Sequence, residues 1–94
     1  MPARVADLGV RPTPDDVLTV VREALAIVCE QPLSRITPTT SLDDLGADSL
    51  ARVEVAELVE ERLAEHAPHL HIGDADLEGF RTVADAVDFV AARV

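Results

Sequence analysis

Prolines fence the apolar runs of this chain, and that punctuation limits its fold more than any other feature. Pro14 stands at the start of one run, Pro32 at its end and Pro68 beyond the next. Proline fixes φ and lacks an N–H, so it suits a first helical turn and halts a helix elsewhere. Inside the fences, apolar residues recur three and four apart, the spacing of one helix face. No segment alternates with period two. The pattern therefore predicts an all-α chain with three main helices, one short helix and no strand. With 94 residues, these elements make one small four-helix bundle.

The first helix is expected over residues 14–30. Thr13 caps it, Asp16 completes a capping-box spacing, and Asp15 and Asp16 suit the positive end of the helix dipole. Val17, Val21, Leu25 and Val28 form its stripe, with Leu18 and Ala24 beside them. The second is expected over 49–65, with Leu50, Val53, Ala56, Val59 and Leu63 as its stripe, widened by Val55 and Leu58. A short helix is expected at 74–79. In the last helix, Thr82 and Asp85 repeat the capping-box spacing before Val83, Ala86, Val87 and Val90. Between the first two helices runs "QPLSRITPTTSLDDLGA", a long connection. Loops of this length are uncommon unless pinned or functional. Leu33, Ile36, Leu42 and Leu45 are expected to anchor it to the core, and Ser41 with Asp44 to cap a single helical turn. Residues 1–12 read as a loose arm and 13–94 as the folded domain.

Composition narrows the function. Only Phe80 and Phe89 are aromatic, so the core must be aliphatic. A net charge of −10 repels nucleic acid and anionic bilayers and points to proteins with basic patches. The single cysteine, Cys29, excludes an internal disulfide and fits a reducing compartment. It lies in the apolar run "ALAIVCE" and reads as a packed small hydrophobe. The N-terminus shows no apolar signal-peptide core, and no run reaches the roughly 18 apolar residues of a membrane span. A cytoplasmic location is expected. His66, His69 and His71, followed by Asp74 and Asp76, match no zinc-ligand spacing and read as exposed or capping side chains, with no metal.

Ser49 is the candidate site. It stands between Asp48 and Leu50 at the mouth of the second helix, after a bend at Gly46. A serine there caps a helix in the plainest reading. Asp48 is an equally good cap, however, and a pinned loop leads up to it. No histidine lies at a spacing that would activate the hydroxyl, so catalysis by this chain is not expected and no catalytic residue is assigned. Modification by another protein remains. A phosphodiester suits the free N–H groups and positive dipole end of a helix N-terminus.

The stretch "LGADSL" resembles the attachment motif of acyl carrier proteins. "LDDLGADSLARVEVAELVEERL" is similar to the family's motif and second helix, and "TVADAVDFV" to its last helix. The likeness covers about residues 14–92. It implies that Ser49, flanked by Asp48 and Leu50, carries a 4′-phosphopantetheine arm. The arm would come from coenzyme A through a phosphopantetheinyl transferase and would hold acyl groups as thioesters. It implies docking to basic patches of acyltransferase, ketosynthase or acyl-ligase type enzymes through Asp43, Asp44, Asp48, Glu54, Glu60 and Glu61. It also implies an apolar pocket between the second and third helices, with Val55, Val59, Ile72 and Leu77 in its wall. The chain is expected to act as a monomeric shuttle.

Ala51, Arg52, Glu57 and Arg62 depart from the usual pattern of fatty-acid carriers. They lean the resemblance toward a discrete carrier of polyketide-like or other specialised biosynthesis. Two alternatives stand beside it. A peptidyl carrier would hold amino acids on the same arm, though such carriers usually show a second glycine where Ala47 stands. A plain helical interaction module would use Ser49 only as a cap, and Ser49→Ala would then cost about 1 kcal/mol of stability.

Overall fold

The computed structural model describes residues 12–94. Residues 1–11, and with them nearly all of the expected arm, lie outside the described residues. Four helices follow in order: α1 (Pro14–Cys29), α2 (Ser49–Arg62), α3 (Asp74–Gly79) and α4 (Val83–Ala91). No strand forms among the described residues. α1 packs against both α2 and α4, while α3 lies against α2. The result is the all-α bundle that the sequence implies.

Caps start two of these helices as expected. Thr13 Oγ1 accepts from the Asp16 N–H at 3.1 Å, and Asp16 Oδ2 accepts from the Thr13 N–H at 2.9 Å. Thr82 and Asp85 build the same box at α4. α1 stops where Glu30 turns into the left-handed region at φ 53°. Its N–H and that of Gln31 both return to the Ala26 carbonyl, closing the helix before Pro32.

The long connection is held by its backbone. A short 3-10 turn, Leu33–Arg35, begins it. Arg22 on α1 donates from Nε to the Ile36 carbonyl and from Nη2 to the Leu33 carbonyl, each at 2.6 Å. Ser41 then pairs with Thr82 as an isolated antiparallel bridge. The Leu42 N–H donates to the Arg81 carbonyl, the Val83 N–H to Thr40 and the Ala84 N–H to Pro38. The first N–H groups of a helix have no partner within it. Here the loop supplies carbonyls to two of those on α4, so each segment satisfies the other.

Ile36, Leu42 and Leu45 are buried, as their spacing suggests. Leu33 corrects the expectation: it is 44% exposed. Its 3-10 turn directs the carbonyl to Arg22 and leaves the side chain at the surface beside Ile27 and Arg62. The Ser41 cap is also looser than expected. The Asp44 N–H reaches Ser41 Oγ at 3.4 Å, and the segment forms consecutive turns in place of a helical turn.

α2 holds the main surprise. Leu50 is 68% exposed and Val53 is exposed beside it. The residues that face inward are Arg52, Ala56, Val59 and Leu63, a regular four-three-four spacing that begins with an arginine. A reading by apolarity passes over the charged first member and takes its outward neighbours. α2 also ends at Arg62 and not near 65, because the chain tightens into turns around Leu63, whose carbonyl accepts from His66 and Ala67.

Asp85 accepts from the N–H groups of Arg81 and Thr82, at 2.8 and 3.1 Å. Those backbone donors, with the Thr82 hydroxyl and the Arg81 charge as lesser causes, hold its carboxyl below the usual range. A carboxyl lowered in the folded state stabilises above its unfolded pKa of about 3.9, and the contribution fades as pH falls through the folded value. Asp85→Asn is therefore expected to melt below the native chain at neutral pH. Thermal melts between neutrality and acid should show that gap closing only at pH below about 4.

Candidate functional site

The approach to Ser49 is a built corner. Gly46 adopts φ 80°, a conformation glycine takes without steric cost. The Gly46 N–H donates to the Asp43 carbonyl, and the Ala47 N–H to the Leu42 carbonyl at 3.0 Å. Ala47 is buried, which locks the corner to the core. Asp48 then caps α2: its Oδ1 accepts from the Ala51 N–H at 2.8 Å. Ser49 is the first helical residue and is exposed. Capping is thus done by Asp48, and the Ser49 hydroxyl stands at the surface on a rigid corner.

Arg52 ties this corner to α3. Its side chain is only 15% exposed. Nε donates to the Ala47 carbonyl at 3.0 Å, and Nη1 donates to the carbonyls of Leu77 and Phe80 at 2.7 Å each. Nη2 reaches the exposed Asp43 carboxylate at 3.3 Å. The planar fork of arginine suits several fixed acceptors at once. Sequence reasoning marked Arg52 only as a departure from a pattern; its inward heptad position with Ala56, Val59 and Leu63 was the available signal.

Below the seam between α2 and α3 lies an apolar cavity of about 30 Å³. Val55, Val59, Ile72 and Leu77 all line it, with Phe80, Val90 and the stem of Arg52. That space is near what one water needs, whereas about 150 Å³ admits a benzene. Any longer apolar group would therefore need a wall to move.

The acidic candidates divide. Asp43, Asp44, Asp48, Glu54 and Glu61 are exposed. Glu60 is half-buried, and its Oε2 accepts from the Ile72 N–H at 2.8 Å, with His71 Nδ1 at 3.7 Å from the same oxygen. Leu50 lies outward next to Ser49. His69 and His71 are exposed, whereas His66 is half-buried and does not fit the expected surface role. Among the described residues, no group of three His, Cys, Asp or Glu side chains is placed to hold a metal ion. No described helix is long and apolar enough to cross a membrane.

The sequence model of the family described as "Phosphopantetheine attachment site" matches residues 15–90. The chain belongs to the acyl carrier protein family. It is 36% identical over 78 residues to an acyl carrier protein of Acidothermus cellulolyticus, covering 82% of this chain and 87% of that one. It is 46% identical over 52 residues to an acyl carrier protein of Clostridium perfringens, covering 55% of this chain and 62% of the relative. It is 35% identical over 79 residues to a meromycolate extension acyl carrier protein of Mycobacterium leprae, covering 83% and 64%. The chain thus spans under two thirds of the latter two. Members of the acyl carrier family are carriers and not enzymes. Their prosthetic group is phosphopantetheine, placed by a phosphopantetheinyl transferase, and they serve biosynthetic enzymes. The corner at Ser49 fits such a group: the hydroxyl is exposed, and another residue already holds the helix cap.

The division of labour between Asp48 and Ser49 has a measurable consequence. Ser49→Ala is expected to change stability by less than about 0.5 kcal/mol, while Asp48→Ala costs about 1 kcal/mol. Urea unfolding of the two variants checks this.

Proposed function

We propose that Ser49 carries the 4′-phosphopantetheine arm and that the chain, through the carrier domain 13–94, shuttles acyl intermediates as thioesters. The observation that carries this reading is the exposed serine opening α2 while Asp48 does the capping. The arm would supply a thiol for thioester formation. The protein supplies position, a negative surface and an apolar shelter. An exposed rim of Asp43, Asp44, Glu54 and Glu61 suits enzymes with arginine- and lysine-rich patches. Such charges speed encounter and release readily. Leu50 beside Ser49 offers an apolar contact to the same partners.

The cargo is best read as aliphatic acyl groups of fatty-acid-like or polyketide-like assembly, since the cavity wall is aliphatic apart from Phe80 and the stem of Arg52. That favours acyl over peptidyl cargo, and the curated relatives named above are acyl carriers. Arg52 and Arg62 no longer argue for a specialised pathway. Arg52 holds α3, and Arg62 pairs with Glu23 at 2.8 Å. The exposed Glu57 and the half-buried Ala51 remain as departures.

Incubation with coenzyme A, Mg²⁺ and a broad-specificity phosphopantetheinyl transferase tests the reading by intact mass. The native chain should gain one phosphopantetheine, and Ser49→Ala none. An unmodified native chain would overturn it.

A second check uses the thiols. Burial pushes the Cys29 thiol above its ordinary pKa, and the charge of Asp48 adds to this. The thiolate is the reacting form. At neutral pH, iodoacetamide should therefore label the arm of the modified chain before Cys29, as peptide mass mapping would show.

A further inference from the structure

The described residues hold six cations, all arginine. Five of them use their guanidinium within the fold. Arg22 and Arg52 hold backbone carbonyls, Arg35 bonds Gln31, Arg62 pairs with Glu23, and Arg93 bonds the Phe89 carbonyl. The sixth, Arg81, is exposed and makes no side-chain hydrogen bond or ion pair among the described residues. Its backbone is fixed on both sides. The N–H donates to Asp85 Oδ2 at 2.8 Å, and the carbonyl accepts from the Leu42 N–H at 2.9 Å. The fold therefore sets where the Arg81 side chain starts and makes no use of its charged end.

Arg81 lines an open groove together with Ser49. Arg52 lines the same groove, three residues after Ser49 on α2, a spacing that makes two side chains neighbours on the helix surface. Asp43, Asp48 and Glu78 share the groove. Asp48 is committed to the α2 cap. Asp43 reaches Arg52 Nη2 at 3.3 Å with its side chain 88% exposed. Arg52 spends Nε and Nη1 on carbonyls, so Nη2, with that one long bond, is the edge it can lend. A second groove at Ser49 also contains Arg52, but it adds Asp74 and Glu78 and no further cation. In a phosphopantetheine arm the phosphorus is bonded directly to the serine oxygen. A phosphodiester on Ser49 must therefore lie against one of these two grooves, and its charge favours the side that holds Arg81.

We propose that Arg81, with the outer edge of Arg52, holds the phosphodiester of an arm on Ser49 and so sets the side of α2 from which the arm departs. This rests on the carrier reading above. The planar fork of arginine suits two phosphate oxygens at once. Arg81 is a positioning residue in this scheme: it fixes the first group of the arm and leaves the thiol end to others. Because Arg81 is exposed, salt weakens its hold.

Phosphorus-31 NMR of the phosphopantetheinylated full chain tests this. At low salt, transverse relaxation of the phosphodiester should be about twofold slower or more in Arg81→Gln than in the native chain, because the released group moves faster. Arg81→Lys keeps the charge and should restore at least about half of the difference. Raising salt from about 0.02 to about 0.5 M should bring the native chain close to Arg81→Gln. The unmodified Arg81→Gln chain should melt within about 2 °C of the native one, since the backbone of residue 81 makes the structural bonds. Equal relaxation in the native and Arg81→Gln chains, or a difference that neither salt nor Arg81→Lys moves, would overturn the proposal. A chain with phosphoserine incorporated at position 49 gives a second reading that needs no transferase. Asp43, Asp48, Glu78, Asp85 and Arg52 stay in place whether residue 81 is arginine or glutamine, so the comparison isolates one charge. The phosphomonoester should bind its last proton at least about threefold more weakly beside Arg81 than in Arg81→Gln. Equal proton affinity in the two chains would sink the idea. A native chain that gains no phosphopantetheine would instead count against Ser49 as the tether, and the phosphoserine titration would still judge Arg81.

Discussion

Two arginines make the irregular half of this protein possible. A long connection without regular hydrogen bonding must find partners for its carbonyls while lying on an aliphatic core. Arg22 takes two of them at Leu33 and Ile36, and Arg52 takes Ala47, Leu77 and Phe80. Every cation in this chain is an arginine, and an ammonium could not span such acceptors with the same fixed fork. Where arginine does not reach, the loop and the start of α4 satisfy one another. The corner that presents Ser49 inherits its rigidity from these contacts.

The fold was largely legible because its signals are local. Thr13 with Asp16 and Thr82 with Asp85 sit at the spacing where side chain and backbone exchange hydrogen bonds within one turn, so short-range sequence suffices. The prolines act through their own φ and their missing N–H. The stripe of α4 was equally plain, since Val83, Val87 and Val90 are all buried.

Long-range polar roles were not legible. Arg52 fills the inward position at the start of α2 because carbonyls from α3 happen to meet it there, which no local pattern encodes. The same fact displaced Leu50 and Val53 to the surface. Glu60 reads as one more acid on a solvated face until Ile72, twelve residues on, is seen to donate to it. Leu33 looked like an anchor because apolar residues in loops usually are, yet its carbonyl does the anchoring. At the helix mouth, Ser49 and Asp48 were both possible caps by sequence, and only the geometry assigns the cap to Asp48.

A carrier has two opposed demands. It must be rigid where partners recognise it and compliant where cargo is stored. The two ends of α2 are held to different degrees. The N-terminal end of α2 is fixed by a cap, a buried Ala47 and a multiply bonded guanidinium. Its C-terminal half faces a segment held by one carboxylate and a few aliphatic contacts. The cavity is small, about 30 Å³, which avoids the cost of a permanent void.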